Sequence, residues 1–147
     1  MIRAAKPKDA AACAAVLRGW IAANPWFPNG APGSASAQSM QSRIACDTVY
    51  IAEKEGETLG FIAFTPGYLD CLYLAPQAQS QGLGKALLGR AKAANPGGLA
   101  LWVLAENRAA IRFYQREGFV ETARGDGADN EEGLPDVRLE WGGEANG

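Results

Sequence analysis

A glycine-containing turn in the middle of the chain has the composition of an anion-binding site. Gln79, Gly82 and Gly84 recur there with the spacing Q-x-x-G-x-G, and Lys85 follows near the start of a helix-like pattern. Backbone N–H groups in the first turn of a helix have no partner within that helix and lie at the positive end of its dipole. Because glycines let a ligand approach the backbone closely, the turn predicts binding of a nucleotide, a dinucleotide or the pyrophosphate of another cofactor.

Two familiar phosphate-binding motifs do not fit this turn. A P-loop needs G-x-x-x-x-G-K-[ST], but Gln79 stands at the first glycine position and Ala86 replaces the hydroxyl residue that would hold magnesium. A dinucleotide fingerprint needs G-x-G-x-x-G in the first strand–helix turn, but its third glycine position is Leu87 and the turn follows the fourth predicted strand. A close strand–helix turn without a ligand is the structural alternative.

The chain contains no histidine, so the commonest metal ligand and the usual general base near neutral pH are both missing. Its three cysteines, Cys13, Cys46 and Cys71, are odd in number and show no C-x-x-C spacing. That pattern predicts neither a disulfide framework nor a zinc site, and we expect no metal. A catalytic base would have to be a carboxylate, a tyrosine or water.

Composition bounds the class of protein. The 147 residues are 48% hydrophobic and 20% charged, which predicts one globular domain covering residues 1–147. A net charge of −2 gives no electrostatic reason to expect nucleic acid or an acidic membrane as partner. No stretch approaches the roughly 20 apolar residues of a membrane span. We therefore expect a cytoplasmic protein in a reducing compartment.

Periodicity and turn residues predict the elements that position the glycine turn. A short first strand leads into a helix that stops at "NP", and a loop rich in Pro, Gly and Ser precedes a short helix over 36–45. "TVYIAEKEGETLGFIAFTP" predicts a hairpin turning at Gly56, and "YLDCLYL" predicts a buried fourth strand. A helix over 79–94, a strand over 99–104, a helix over 108–117 and two closing strands, "FVETAR" and "VRLEW", follow. The order predicts one α/β domain with a mixed sheet.

Two stretches together resemble the GCN5-related N-acetyltransferase (GNAT) superfamily. "LYLAPQAQSQGLGKALL" matches its [QR]-x-x-G-x-[GA] motif. "LWVLAENRAAIRFYQREGFVET" matches its N-x-x-A-x-x-x-Y-x-x-x-G-F pattern through Asn107, Ala110, Tyr114, Gly118 and Phe119. The resemblance implies a single mixed, mostly antiparallel sheet of six to seven strands, with strands four and five splayed and about four flanking helices. It also implies an N-acetyltransferase that uses acetyl-CoA as acyl donor.

The resemblance assigns the cofactor contacts. The pantetheine arm of acetyl-CoA would pair with the backbone of strand four, and the diphosphate would lie on the glycine turn. Asn107 would contact the pantetheine or cap its helix, and the N–H of Leu74 would polarise the thioester carbonyl. The cofactor-binding positions implied in this way are Leu72, Tyr73, Leu74, Gln79, Ser80, Gln81, Gly82, Leu83, Gly84, Lys85, Asn107 and Tyr114.

The resemblance also assigns the proton transfers. Tyr114 would be the general acid, because a phenol near pKa 10 can protonate the CoA thiolate, whose thiol has a pKa near 8.5. Some relatives carry the base on strand four, where this chain has Tyr68 and Asp70. We expect Asp70 to be the base and, from strand alternation, both residues to share the face of the Leu72 and Leu74 side chains. Other relatives carry a glutamate on strand five where this chain has Trp102, which argues against acetylation of protein N-termini.

The acceptor site is the least determined part of the sequence. In the family it lies beside the loop after the first helix and the last hairpin, which here carry Trp26 and Phe27, and Asp129, Glu131 and Glu132. Aromatic rings and acids suit the cationic amine of a small molecule or peptide, although the acids can equally form a solvated hairpin tip. The resemblance leaves a homodimer open.

A different class of function shares this fold. A non-catalytic acyl-CoA-binding or sensor module would keep the glycine turn but would not need Tyr114 or Asp70.

Overall fold

The computed structural model describes residues 1–27, 36–79, 81–128 and 133–143. These residues form a seven-stranded mixed sheet with four α-helices, and no α-helix among them is long and apolar enough to cross a bilayer. The strands follow the spatial order β1-β2-β3-β4-β5-β7-β6, and every neighbouring pair except β4–β5 is antiparallel. The strands are β1 (Ile2–Ala4), β2 (Thr48–Lys54), β3 (Glu57–Thr65), β4 (Tyr68–Leu74), β5 (Leu99–Leu104), β6 (Val120–Gly125) and β7 (Asp136–Trp141). The helices are α1 (Ala10–Ala23), α2 (Ala37–Cys46), α3 (Leu83–Ala94) and α4 (Arg108–Arg116). The predicted sheet and helix number are confirmed.

The sheet opens between β4 and β5. These parallel strands share the single register pair Tyr68–Ala100, and the Ala100 N–H donates to the Gly67 carbonyl at 3.0 Å. Further along, β4 continues to pair with β3 as far as Leu74 opposite Gly60. The predicted splaying of strands four and five is therefore confirmed, and it leaves a gap at the centre of the sheet.

A bulge interrupts β4 before the gap. Phe64 pairs with Leu69 and Ala63 pairs with Cys71, so Asp70 is an extra residue without a counterpart on β3. A bulge turns the side chains that follow it relative to simple alternation.

The bulge decides which side chains of β4 share a face. Leu69, Leu72 and Leu74 pack into the apolar cluster that contains Leu87 and Leu88 of α3. Cys71 and Tyr73 pack into the opposite cluster, which contains residues of α1 and α2. Asp70 lies on that second side, because its carboxyl contacts Asp47 at the end of α2. The expectation that Tyr68 and Asp70 share a face with Leu72 and Leu74 is wrong. Tyr68 and Asp70 are the neighbours of Leu69 in the strand, so both lie on the face opposite to Leu69. Because the bulge shifts the alternation by one residue after Asp70, Leu72 and Leu74 return to the face of Leu69.

Helix α3 begins at Leu83, four residues after the predicted start at 79. Pro76–Ala78 instead form a 3₁₀ turn, and Gly82 adopts a left-handed backbone with φ of 76° just before the helix. Glycine takes this conformation without the steric cost of a Cβ. The α4 helix begins as predicted behind Asn107, whose side-chain oxygen accepts from the Ala110 N–H at 3.3 Å.

An ion-pair network joins β1 to β2 and to the start of α1. Arg3 contacts Asp9 at 2.9 Å and Glu53 at 3.0 Å, and the Lys6 N–H donates to Asp9 at 2.7 Å. The hydrogen bond and charge of Arg3 lower the pKa of the Asp9 carboxyl.

Asp9→Asn should therefore lower Tm at pH 7. The loss of about 1 kcal/mol expected for a partly screened pair corresponds to about 2–4 °C for a chain of this size. A lowered carboxylate pKa contributes stability above the unfolded value near 4, and that contribution disappears as pH falls through the folded value. Calorimetry from pH 7 to pH 3 should show the two Tm values converging, and a constant difference would contradict the assignment.

Candidate active site

Two clefts open where β4 and β5 diverge. The first, which we call the aromatic cleft, is a cavity of about 420 Å³ lined by residues of α1, α2, β4 and β5. The second, the glycine-turn cleft, has about 510 Å³ and lies between β4, α4 and the start of α3. The residues that line both are Trp20, Leu72, Asn107, Ala110 and Tyr114. Two molecules entering from different sides would therefore meet at the gap in the sheet.

The glycine-turn cleft contains most of the predicted cofactor residues. Its walls include Leu72, Leu74, Gln79, Gly82, Gly84, Lys85, Asn107 and Tyr114. Ser80 lies outside the described residues. Gln81 and Leu83 are not among the lining residues: the Gln81 amide donates to the Gln77 carbonyl at 3.2 Å, and Leu83 packs beside Leu59 and Ala78.

Gly82 and Gly84 differ in what the fold asks of them. A Cβ on Gly82 would meet nothing within 4 Å, so the left-handed backbone is what favours glycine there. A Cβ on Gly84 would lie 3.5 Å from Phe113 and 3.6 Å from Leu74, two other residues of the same cleft. These are ordinary van der Waals distances, so packing within the protein does not by itself require glycine at position 84.

Beyond the bulge, β4 presents side chains to the cores and backbone to the gap. Leu72, Tyr73 and Leu74 pair with Ile62, Phe61 and Gly60 of β3. The Leu72 and Leu74 side chains are half-buried against the α3 side of the sheet. Their backbone edge that faces away from β3 borders the gap, where an extended ligand can add to the sheet.

Tyr114 lies at the junction of the two clefts. Its side chain is 6% exposed, and its ring contacts Phe113 and Phe119 edge-on with centroids at 5.2 and 5.4 Å. Burial raises the pKa of the phenol, with smaller contributions from the neighbouring Cys71 and Tyr73. The hydroxyl therefore stays protonated across the physiological pH range.

Asp70, the bulged residue of β4, lines the aromatic cleft. Burial is the largest cause that raises its pKa to about 7, followed by the hydrogen bond and charge of Asp47, while the Arg43 guanidinium opposes the shift. A carboxyl group with this pKa exchanges protons near neutral pH, as a general base requires. Tyr68 instead accepts a hydrogen bond from the Trp102 backbone and is not among the residues lining either cleft.

The aromatic cleft takes its name from four aromatic side chains that pack against one another. Trp20 makes edge-on contacts with Trp26, Phe27 and Tyr73 at centroid distances of 5.8, 5.4 and 5.0 Å. Trp26 is half-buried, whereas Phe27 is 7% exposed and belongs to the core as well as to the cleft wall.

The acids that line this cleft among the described residues come from β4 and β7. Asp70 and Asp136 line it. Asp129, Glu131 and Glu132 lie outside the described residues, so their predicted role stays a prediction.

Several lining residues were missed by sequence reasoning. Trp20 had a signal, since it continues the buried stripe of Cys13 and Leu17 on α1. The remaining ones come from distant elements that only the folded sheet brings together, and no local pattern marks them: Arg43, Phe113, Arg116 and Asp136. The described residues include no cluster of three or more potential metal ligands.

Known proteins share both the sequence pattern and the fold. A model of the acetyltransferase (GNAT) domain matches residues 45–121. The peptidyl-lysine N-acetyltransferase YiaC of Escherichia coli (strain K12) is 38% identical over 71 residues, which are 48% of this chain and 48% of YiaC. The chain thus spans about half the length of this curated relative.

Solved structures extend the similarity of the fold to nearly the whole chain. Apo-form YjaB from Escherichia coli superposes with a TM-score of 0.79 at 22% identity, covering 97% of both chains. The PaiA N-acetyltransferase from Thermoplasma acidophilum in complex with coenzyme A gives a TM-score of 0.78 at 19% identity, covering 97% of this chain and 98% of PaiA. Because the domain model covers more than half of the 147 residues and the sheet opens at the same point as the motifs predict, the chain belongs to the GNAT acetyltransferase family.

Proposed function

We propose that the protein is an acetyl-CoA-dependent N-acetyltransferase that acts on a primary amine of a small molecule or peptide. The observation that carries the proposal is the meeting of two clefts at Tyr114, in the gap between β4 and β5. The printed name of YiaC, a peptidyl-lysine N-acetyltransferase, and the coenzyme A bound by PaiA support the same reaction.

The glycine-turn cleft fits acetyl-CoA. Lys85 and Arg116 line it, and the first turn of α3 adds backbone N–H groups at a positive dipole end, which suits a diphosphate. The adjoining edge of β4 suits an extended pantetheine arm. When bound, acetyl-CoA supplies an acetyl group activated as a thioester.

Two residues of the chain move the protons. Asp70, as carboxylate, removes a proton from the ammonium group of the acceptor, which frees the nitrogen lone pair for attack on the acetyl carbon. Tyr114 donates its proton to the departing sulfur and regains one from the nitrogen as the amide forms. The Leu74 N–H acts as a hydrogen-bond donor to the carbonyl oxygen.

Transfer is direct, because the described residues that line the two clefts include no activated nucleophile. Cys71 lines the aromatic cleft, but burial raises its thiol pKa to about 12, and the thiolate is the reactive form of cysteine. Cys71→Ser should therefore retain turnover within about threefold of the parent, far from the loss of a covalent nucleophile. Mass spectrometry after incubation with acetyl-CoA alone should show no acetylated enzyme, whereas a stable adduct at Cys71 would contradict direct transfer.

The aromatic cleft fits a cationic acceptor. Its rings can contact an ammonium group through their faces, and Asp70 and Asp136 supply negative charge. The three cysteines of the chain are free thiols, which suits the reducing cytoplasm. A homodimer stays a prediction.

Ligand-dependent melting tests the cofactor part of the proposal. At one hundred times its Kd, acetyl-CoA should stabilise the fold by about 2.7 kcal/mol, or about 5–10 °C in Tm. Lys85→Glu should weaken binding by about tenfold or more, because it replaces a charge-assisted contact by repulsion. Lys54→Glu, the same charge change on the exposed hairpin, should not.

Thiol release with an amine panel then tests the reaction. Release that depends on the amine supports acetyl transfer. A Tm shift without thiol release for any amine would instead favour the non-catalytic acyl-CoA-binding module, and no shift at saturating acetyl-CoA would overturn both.

A further inference from the structure

Two carboxyl groups contact each other beside the aromatic cleft, and one of them, that of Asp70, lines it. Asp47 caps the C-terminus of α2, with its N–H donating to the Arg43 carbonyl at 2.8 Å. Asp70 is the bulged residue of β4. Thr48, Phe64 and Leu69 pair with one another in one row across β2, β3 and β4. Asp47 directly precedes this row and Asp70 directly follows it.

The contact between these acids requires a proton. The side chains of Asp47 and Asp70 are hydrogen-bonded to each other. A carboxylate can only accept, so one of the two must be protonated and donate. Two carboxylates sharing a site cannot both ionise easily, and their protons belong to the pair.

Arg43 anchors the Asp47 carboxyl. Its Nη1 lies 3.3 Å from Asp47 Oδ2, and the Asp47 side chain is only 13% exposed. The ion pair holds the Asp47 carboxyl in place beside Asp70. Burial and Asp47 raise the pKa of Asp70, and the Arg43 guanidinium opposes both. Two further ionisable groups of β4, Cys71 and Tyr73, act electrostatically on Arg43. Asp70 also interacts with the phenol of Tyr68, on which Asp136 and Arg138 of β7 act as well.

We propose that Asp47 is a positioning residue that shares one proton with Asp70, and that the Arg43–Asp47 ion pair holds these two carboxyl groups together beside the aromatic cleft, where Asp70 changes between acid and base. The role of Asp70 toward the acceptor rests on the proposed function, whereas the shared proton does not. In the reaction, the ammonium proton passes to the Asp70 carboxylate, is held against Asp47, and leaves to solvent before the next turnover.

Carboxyl NMR of the full chain, labelled with ¹³C at aspartate, tests the shared proton without any substrate. One aspartate carboxyl should titrate near pH 7, and Asp70→Asn should remove that signal. Asp47→Asn should move the titration down by about one to two pH units, because the neighbouring negative charge is gone. Arg43→Gln should move it up, whereas Arg43→Lys should leave it nearly unchanged.

Controls separate this effect from general changes in charge or fold. Glu57→Gln changes the net charge as Asp47→Asn does, but lies at the exposed start of β3, so it should not move the titration. Melting curves establish that each variant is folded. An Asp70 that titrates near 4 in the parent, or a titration that Asp47→Asn leaves in place, would overturn the proposal.

The pH dependence of thiol release gives the second readout. With a lysine-containing peptide as the amine, the acid limb of kcat/KM should follow the NMR midpoint in the parent and move in the same direction in both variants. A limb that stays fixed while the NMR midpoint moves would overturn the role of the pair in catalysis. Failure of acetyl-CoA binding would disprove the proposed function while the NMR titration still decided the shared proton.

Discussion

Tyr114→Phe is expected to lower kcat by about two to four orders of magnitude while Kd for acetyl-CoA changes little. The substitution removes only the hydroxyl, which is the proton donor to the leaving sulfur. The ring keeps its edge-on contacts with Phe113 and Phe119, so the wall shared by both clefts should survive. Steady-state kinetics and calorimetric titration with acetyl-CoA measure the two quantities separately.

The matched control for this prediction is Tyr50→Phe. Tyr50 also loses one hydroxyl, but it stacks on Phe64 of the neighbouring strand with ring centroids 6.2 Å apart and lines neither cleft. Its kcat should equal that of the parent. Parallel losses of kcat and acetyl-CoA binding in Tyr114→Phe would show that the tyrosine is structural.

The sequence predicts the elements well where each residue's surroundings are local. The "NPGG" stop, the hairpin at Gly56 and the apolar run 99–104 depend on turn chemistry and periodicity, and the structure confirms all three. The predicted start of α3 is too early, because polar residues after Pro76 fit either a helix or a 3₁₀ turn. Only the left-handed backbone of Gly82 decides between them.

The site is less predictable, because its geometry depends on register. Nothing in "YLDCLYL" marks Asp70 as a bulge, and this single extra residue puts Leu72 and Leu74 on the opposite face from Asp70, where simple alternation predicts a shared face. Asp47 and Arg43 lie more than 20 residues earlier in the chain and follow from no motif. Their effect on Asp70 exists only because α2 ends beside the row of the sheet that contains the bulge.

Asp70→Asn is expected to lower kcat/KM by about two to four orders of magnitude for a strongly basic amine such as a lysine side chain. At neutral pH such an amine is protonated, and asparagine cannot remove the proton. An acceptor amine whose pKa is below the assay pH needs no base, so the decrease in kcat/KM for that amine in the same variant should be much smaller. A series of amines of falling pKa measures this difference directly.

The amine series also distinguishes a base from a structural acid. If Asp70 only shaped the cleft, the loss would be equal for every amine. Asp136→Asn is the informative comparison, because Asp136 is a second acid that lines the same cleft, on β7 instead of β4. In Asp136→Asn the decrease in kcat/KM should not depend on the pKa of the amine, even if binding of cationic acceptors weakens.

The raised pKa of Asp70 also has a thermodynamic consequence that needs no acceptor. Between the unfolded value near 4 and the folded value of about 7, the native chain binds more protons at this position than the unfolded chain. Stability therefore falls as pH rises through this window, because the carboxylate forms in a poorly solvated place beside Asp47. Asp70→Asn removes this slope, so its Tm relative to the parent should increase between pH 4 and pH 8. A relative Tm that stays constant would mean that Asp70 ionises normally, and its assignment as the base would fail with it.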